Sequence, residues 1–381
     1  MRILSMSYFD MKTGWHFDNV DFESLTLLVG ASGVGKTKII RAINDIKSIA
    51  LGHSVKKSMK WFIRFEDKGI VYSWEGITNS NENMDKFTDS KYEFIKEALV
   101  KENRLGEKLV ILERNADKIT FLDNVVPKTS LNKSLVSIFS EEEEIETIIS
   151  AFEKIYIFDF DVEKFIGVAT ALTEDGEVYD NLAEKKEHLE VIQASKLPIM
   201  GKLVQAYDSF PLIFEDIKNE FISIFERVED LRFHTITRFN KENNEDEIVY
   251  NLQLKEKGTD NWVNRSEISA GMHKTLLFIA LIKLTSDDTV IIIDEFENSL
   301  GVNCIDLVAD EVVGNIKQFI LTSHHPYIIN RISYDFWKIV TRTAGTVTVK
   351  SADQYRLGRA KHEAFKQLLN LDAYVEGSED F

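Results

Sequence analysis

Eight consecutive residues near the amino terminus have the types and the spacing that phosphate binding requires. They read Gly30-Ala31-Ser32-Gly33-Val34-Gly35-Lys36-Thr37 and fit the pattern G-x-x-x-x-G-K-[ST]. Glycines leave room for backbone N–H groups to close around phosphate oxygens. Lys36 would reach the β- and γ-phosphates of a nucleotide, and the Thr37 hydroxyl would ligate Mg²⁺. The segment therefore predicts a nucleotide site that uses Mg²⁺.

The sequence on either side of this loop predicts the elements that would hold it. Leu25–Val29 is an apolar run and reads as a buried strand leading into the loop. Residues 38–49 read as an amphipathic helix leaving the loop, with Ile39, Ile40 and Ile43 on one face. A strand, a glycine-rich loop and a helix in this order direct the positive end of the helix at a bound phosphate.

A pair of carboxylates more than 200 residues downstream predicts the second half of the site. Val290–Ile293 is an apolar strand that ends in Asp294 and Glu295. Strands buried on both faces belong in parallel sheets. Asp294 would hold the Mg²⁺ shell, and Glu295 would orient or deprotonate an attacking water.

Two further segments carry residue types that suit phosphate chemistry. Ser269 is a good N-cap for the apolar helix that follows it, and Gly271 permits close approach of a phosphate to that helix. Phe319–Thr322 reads as another buried strand, and it runs into Ser323-His324-His325-Pro326. Of the two histidines in this segment, His325 is undecided between the site and the scaffold.

These motifs, in this order, resemble ABC-type P-loop ATPases. Residues 268–272 resemble their signature motif, with Ser269 and Gly271 matching and Ala270 in place of a glycine. Residues 322–326 match the form T-[ST]-H-x-P found in the RecF, SMC and OLD branch, and this resemblance implies that His324 senses the γ-phosphate. The resemblance implies ATP as the nucleotide, bound between the heads of a homodimer. Ser269 and Gly271 of one subunit would then face the ATP held by the other.

Length, charge and composition limit the classes of protein to consider. The chain has 381 residues, a net charge of −17, and one cysteine, which excludes an internal disulfide and a cysteine-based zinc site. No apolar run approaches a membrane span, so a cytoplasmic protein without membrane contact is expected. Acidic residues outnumber basic ones by 15 between residues 141 and 230, whereas residues 36–68 and 331–366 carry net charges of +6 and +5. Any nucleic acid would bind to these two basic flanks.

The fold class expected from these patterns is α/β, an ABC-type ATPase head with a mixed or parallel core sheet, an antiparallel β-subdomain and a helical insertion. The predicted domains are the first half of the head at 1–125, an acidic helical insertion at 126–230, the second half of the head at 231–350, and a tail at 351–381. Within the insertion, helices are predicted at 189–204 and 214–228, and a strand at Tyr156–Phe158.

The resemblance implies an ATPase that acts as a nucleotide-gated dimer. It points to bacterial anti-phage defence of the Septu or retron-associated type, or to DNA maintenance, with a separate nuclease or toxin as the effector. One departure bears on hydrolysis: ABC-type ATPases have a glutamine that couples Mg²⁺ to the helical subdomain, and the first glutamine here is Gln193, inside the acidic segment. A non-hydrolysing ATP-binding scaffold or sensor therefore remains an alternative.

Overall fold

The computed structural model describes residues 1–80, 92–103, 105–158, 168–169, 184–240, 245–299, 309–357 and 361–378. The strands are β1 Arg2–Asp10, β2 Trp15–Asp21, β3 Leu25–Val29, β4 Met59–Asp67, β5 Ile70–Ser80, β6 Tyr92–Glu102, β7 Lys108–Arg114, β8 Ile119–Phe121, β9 Asn124–Val126, β10 Ile155–Phe158, β11 Val168–Ala169, β12 Val228–Asn240, β13 Glu245–Glu256, β14 Trp262–Asn264, β15 Val290–Ile293, β16 Gln318–Thr322, β17 Trp337–Thr343 and β18 Thr346–Ser351.

The helices are α1 Lys36–Ala50, α2 Leu135–Ile138, α3 Glu143–Glu153, α4 Glu184–Ala194, α5 Ile199–Ser209, α6 Pro211–Ile224, α7 Ala270–Leu284, α8 Phe296–Ser299, α9 Pro326–Arg331, α10 Lys361–Leu369 and α11 Asp372–Val375. Residues 309–314 are also helical. The described part of the chain divides into two compact units. Unit 1 comprises Met1–Phe158, Asp288–Phe296 and Ala309–Phe381, and unit 2 comprises Asp159–Asp287 and Glu297–Val308.

Unit 1 is built on a sheet of 14 strands, in the order β10-β15-β16-β3-β17-β18-β2-β1-β4-β5-β6-β7-β8-β9. The first five strands pair in parallel, and β1, β2 and β4 to β9 pair antiparallel. Every residue of β3, β15 and β16 is buried, as expected of strands covered on both faces. The mixed α/β fold predicted from the sequence is confirmed.

The antiparallel half of this sheet buries its aromatic face against helices α1 to α3. Trp61 and Trp74 meet edge to face at 5.6 Å, and Phe152 of α3 packs on Phe65 and Trp74 at 5.1 and 5.6 Å between ring centroids. Residues 126–158, which the sequence analysis assigned to the helical insertion, therefore belong to unit 1. Strand β10 joins the core sheet beside β15, as a parallel neighbour.

Unit 2 contains helices α4 to α7 and a second sheet. In that sheet β13 pairs with β11, β12 and β14, and β12 and β13 form a long hairpin. The predicted helix at 189–204 is wrong as a single element, because Pro198 lacks an N–H and separates α4 from α5. The helix predicted at 214–228 begins at Pro211 and ends at Ile224, since Val228 already starts β12.

Several elements lie outside the sequence prediction, among them β6 and the two helices of the tail. Strand β6 occupies the middle of the antiparallel half, between β5 and β7. The predicted tail from residue 351 contains α10 and α11, and α11 packs against β17. No helix among the described residues is long and apolar enough to cross a membrane.

Candidate nucleotide site

Three buried parallel strands end at one edge of the unit 1 sheet, and the predicted site residues follow them there. Strand β3 ends at Val29 and leads into Gly30, whereas β15 ends at Ile293 and leads into Asp294. The register pairs Ile293 with Leu321, and Leu321 with Leu27. The structure therefore brings the phosphate-binding loop, the acidic pair and the residues after β16 to the same edge.

The loop folds back on itself through its lysine. Lys36 is 8% exposed, and its Nζ donates to the carbonyl oxygens of Gly30 and Ala31 at 2.8 and 3.0 Å. Helix α1 begins at this lysine, and Thr37 follows in its first turn. The buried face of α1 includes Ile39, Ile40, Ile43 and Ile46, as predicted. An ammonium group is thus held inside the turn that would receive the phosphates.

Gly30 has a steric reason to be glycine besides its place in the motif. A Cβ atom there would lie 2.4 Å from the carbonyl oxygen of Val340 in β17, a distance that no substituent can tolerate. Strand β17 pairs in parallel with β3, with Ile339 opposite Val29. The start of the loop therefore rests directly on backbone of the neighbouring strand.

Thr322 joins the two carboxylate residues at the end of β15. Its Oγ1 donates to Asp294 Oδ1 at 2.6 Å and accepts the backbone N–H of Glu295 at 2.7 Å. Thr322 is fully buried, whereas Asp294 is half-buried and Glu295 is exposed. Sequence reasoning assigned no role to this hydroxyl. The signal available was a threonine at the end of the strand next to the acidic one.

The backbone of Glu295 has a φ of +46°, in the left-handed region that side chains other than glycine rarely adopt. Such a conformation costs of order 1–3 kcal/mol and persists only where neighbours enforce it. The hydrogen bond from its N–H to Thr322 is one such constraint. Glu295 is exposed at this edge of the sheet.

The two histidines after β16 differ in their surroundings. His325 Nδ1 accepts the backbone N–H of Tyr327 at 3.3 Å and so caps α9. This contact gives His325 a structural role. His324 is exposed at the edge where the three strands end. The Oγ of the fully buried Ser323 accepts the N–H of His325 at 3.0 Å, which fixes the turn carrying both rings.

Ser269 and Gly271, the predicted signature residues, lie in unit 2. Ser269 caps α7, since its Oγ accepts the backbone N–H of Met272 at 3.2 Å, as predicted. Ser269 is exposed, and Gly271 is half-buried. His273, in the first turn of α7, is 4% exposed and accepts the Nε–H of Arg265 at 3.2 Å. Burial, with Arg265 and Lys274 nearby, lowers the pKa of His273 to about 4, so the ring is neutral.

Thr37 and Asp294 offer oxygen donors, the kind of ligand that Mg²⁺ prefers. Among the described residues there is no group of three or more His, Cys, Asp or Glu side chains that could hold a metal ion. Mg²⁺ bound with a nucleotide usually takes one or two protein oxygens, with phosphates and waters completing the shell. Thr37 and Asp294 would be those protein ligands. Gln193, the first glutamine of the chain, donates instead to the Thr285 carbonyl in unit 2.

Residues 25–330 match the model of a family described as "AAA domain, putative AbiEii toxin, Type IV TA system". The chain belongs to this family. The matched range includes the phosphate-binding loop, the acidic pair and His324. The chain accordingly carries an AAA-type domain. No curated protein matches it.

Three solved structures of SMC heads are similar to this chain, each at 14% sequence identity. One is an SMC head bound to the C-winged helix domain of ScpA, with 93% of this chain and 99% of that chain covered and a TM-score of 0.47. The second, from Pyrococcus furiosus, has an extended coiled coil and is bound to the C-terminal domain of ScpA, with 93% and 98% covered and a TM-score of 0.44. The third is the SMC head domain from Thermotoga maritima, with 92% and 99% covered and a TM-score of 0.36.

Proposed function

We propose that this protein hydrolyses ATP with Mg²⁺ at the edge where β3, β15 and β16 end. The observation that carries the proposal is the Thr322 bridge between Asp294 and Glu295, beside a loop with an inward-facing lysine. Bound Mg²⁺ would neutralise charge on the β- and γ-phosphates. Lys36 would exchange its contacts with the Gly30 and Ala31 carbonyls for phosphate oxygens.

The remaining site residues would each take a separate role in an in-line attack by water. Glu295, held by its backbone at the strand end, would orient the water and accept its proton. His324 would contact the γ-phosphate from the end of β16. The backbone N–H groups of Gly33 to Thr37 would surround the phosphates at the start of α1, where the helix dipole favours negative charge.

We further propose that two copies bind ATP between them, with Ser269 and Gly271 of one copy facing the nucleotide of the other. The exposed, capped start of α7 supports this assignment, since it offers N–H groups to an anion. Closure of such a dimer would depend on the γ-phosphate, and hydrolysis would release it. The dimer would control a separate effector, a nuclease or toxin, in anti-phage defence or DNA maintenance. The toxin–antitoxin wording of the family description agrees with such a partner.

Two substitutions test the hydrolytic proposal and its alternative. Lys36→Ala should abolish ATP binding, because the phosphates lose the ammonium group held in the loop. Glu295→Gln should keep ATP binding and slow hydrolysis by on the order of 10²-fold, the usual effect of losing a positioned base. Light scattering with Mg²⁺ and ATP should then show a stable dimer of Glu295→Gln. Tight ATP binding by the wild type without turnover would instead favour a non-hydrolysing scaffold or sensor.

A further inference from the structure

The segment 371–378 packs against the phosphate-binding loop within unit 1. Gly377 is buried there, and its backbone φ is +70°. A Cβ atom at Gly377 would lie 2.5 Å from Val34 Cγ1 and 3.0 Å from Ala31 Cβ. Both of those residues belong to the variable positions of the loop, and Val34 is 5% exposed. The backbone of Gly377 therefore packs directly against Ala31 and Val34 of the phosphate-binding loop.

The 371–378 segment also contacts β17, the strand whose backbone lies against the start of the loop. The carbonyl oxygen of Gly377 accepts the backbone N–H of Arg342 at 2.7 Å. Helix α11, just before it, packs against β17, and Ala373 of that helix is 5% exposed. Strand β17 also carries Val340, whose carbonyl oxygen lies against Gly30. One strand thus holds the first residue of the loop and the segment that covers its middle.

These contacts matter because a phosphate-binding loop works through the fixed direction of its N–H groups. Donors that already point at the phosphates cost no reorganisation when the nucleotide arrives. Val34 lies between Gly33 and Lys36, whose N–H groups would face the phosphates. Packing by Gly377 that holds the Val34 side chain in place also holds these N–H donors in place. Weaker packing there would lower nucleotide affinity without removing any group that touches the nucleotide.

We propose that the 371–378 segment is a positioning element of the nucleotide site, with Gly377 as the residue through which it orders the phosphate-binding loop. The proposal rests on the function proposed above. The element acts through Ala31 and Val34, and it should change the affinity for nucleotide more than the rate of the chemical step. It is distinct from the residues to which the proposed mechanism gives direct contact with the phosphates, the metal or the water.

Gly377→Ala tests this element, and Gly106→Ala is its matched control. Gly106 has a φ of +81° and no atom within 4 Å of the position a Cβ would take, so it reproduces the backbone strain without the contact. The Kd for MgATP should rise about tenfold in Gly377→Ala, with kcat at saturating ATP nearly unchanged, and neither should move in Gly106→Ala. Val34→Ala removes the atom at 2.5 Å, so in the Gly377→Ala background it should restore affinity to that of Val34→Ala alone.

A second measurement separates this inference from the proposed function. Hydrogen exchange of the amides of residues 30–38, measured without nucleotide, should accelerate about tenfold in Gly377→Ala and stay unchanged in Gly106→Ala. Ala373→Asp, which places a carboxylate against β17, should accelerate the same amides. A wild-type protein that fails to bind MgATP would refute the proposed function, and the exchange rates would still decide this inference. Equal exchange at residues 30–38 in Gly377→Ala and Gly106→Ala would overturn it.

Discussion

Thr322→Val removes one hydroxyl and keeps the shape of the side chain, so it isolates the bridge between Asp294 and Glu295. The hydroxyl makes two hydrogen bonds, of 2.6 and 2.7 Å, and one of them is to a carboxylate. A hydrogen bond to a charged group contributes about 1.5–3 kcal/mol, and a neutral one about 1 kcal/mol. Asp294 is half-buried, so water can replace part of the lost interaction.

The expected net loss is therefore about 2 kcal/mol in the transition state, or roughly a thirtyfold fall in kcat. Without the bridge, Asp294, the proposed Mg²⁺ ligand, loses its orientation, and the strained turn at Glu295 loses a constraint. The concentration of Mg²⁺ needed for half-maximal activity should rise as well. Binding of ATP in the absence of Mg²⁺ should stay close to that of the wild type, because the phosphate-binding loop is untouched.

Steady-state hydrolysis measured across a magnesium titration checks this expectation, with Thr322→Ser as the rescue variant. Serine keeps the hydroxyl and should recover most of the lost rate. Thr341→Val is a matched control, since Thr341 is a buried threonine at 2% exposure in β17. The reasoning fails if Thr322→Val turns over ATP at the wild-type rate, or if Thr341→Val slows hydrolysis equally.

Two further predictions concern acid stability and charge. The folded-state pKa of His273, about 4, lies below its ordinary value of 6.5, so the unfolded chain takes up the proton first as the pH falls. The wild type should lose up to about 3 kcal/mol of unfolding free energy between pH 6.5 and 4 relative to His273→Gln, and equal pH slopes in chemical denaturation would contradict this. For the basic flank at 36–68, changing the exposed Arg41, Lys56 and Lys60 to Ala should flatten the log–log salt dependence of DNA binding by roughly 2 to 3 units, and an unchanged slope would exclude these contacts.

The core of the fold could be predicted because its signals are local. A mostly apolar run bounded by a glycine-rich loop, by two carboxylates or by a turn indicates a buried strand by itself, and β3, β15 and β16 are confirmed. Strand β6 was missed because an inward position, Glu97, is charged. Glu97 is fully buried and accepts hydrogen bonds from Trp74 Nε1 at 3.2 Å and from the Leu135 N–H at 2.8 Å. These partners lie 23 and 38 residues away, so no local pattern contains them.

The same limit applies to the site. The residues that touch the nucleotide in the proposed mechanism belong to short motifs, so the sequence alone identifies them. The residues that position them do not lie in such motifs: Thr322 is 28 residues from Asp294, and Gly377 is more than 340 residues from Val34. Such contacts exist only once the strands pair in a particular register. Positioning residues are therefore the part of a site that a single sequence conceals.

That register raises a physical question, because β15 and β16 are apolar on both faces. In a half-buried strand the alternation of polar and apolar residues fixes the pairing, and here that alternation is missing. Polar side chains at the two ends of β16 fix the pairing register instead. At its start, the buried Gln318 donates to the carbonyl oxygens of Ile3 and Glu23 at 2.7 and 2.9 Å and accepts the Ile3 N–H at 2.7 Å.

At the other end, Thr322 bridges the acidic pair. A shift of β16 by one residue would leave the Gln318 amide and the Thr322 hydroxyl buried without these partners, at a cost of about 1–3 kcal/mol for each group. The hydrogen bonds that select the register are thus partly the same ones that orient Asp294, the proposed Mg²⁺ ligand. Strand pairing and site geometry are specified together, so a correctly paired sheet already carries a correctly placed Asp294.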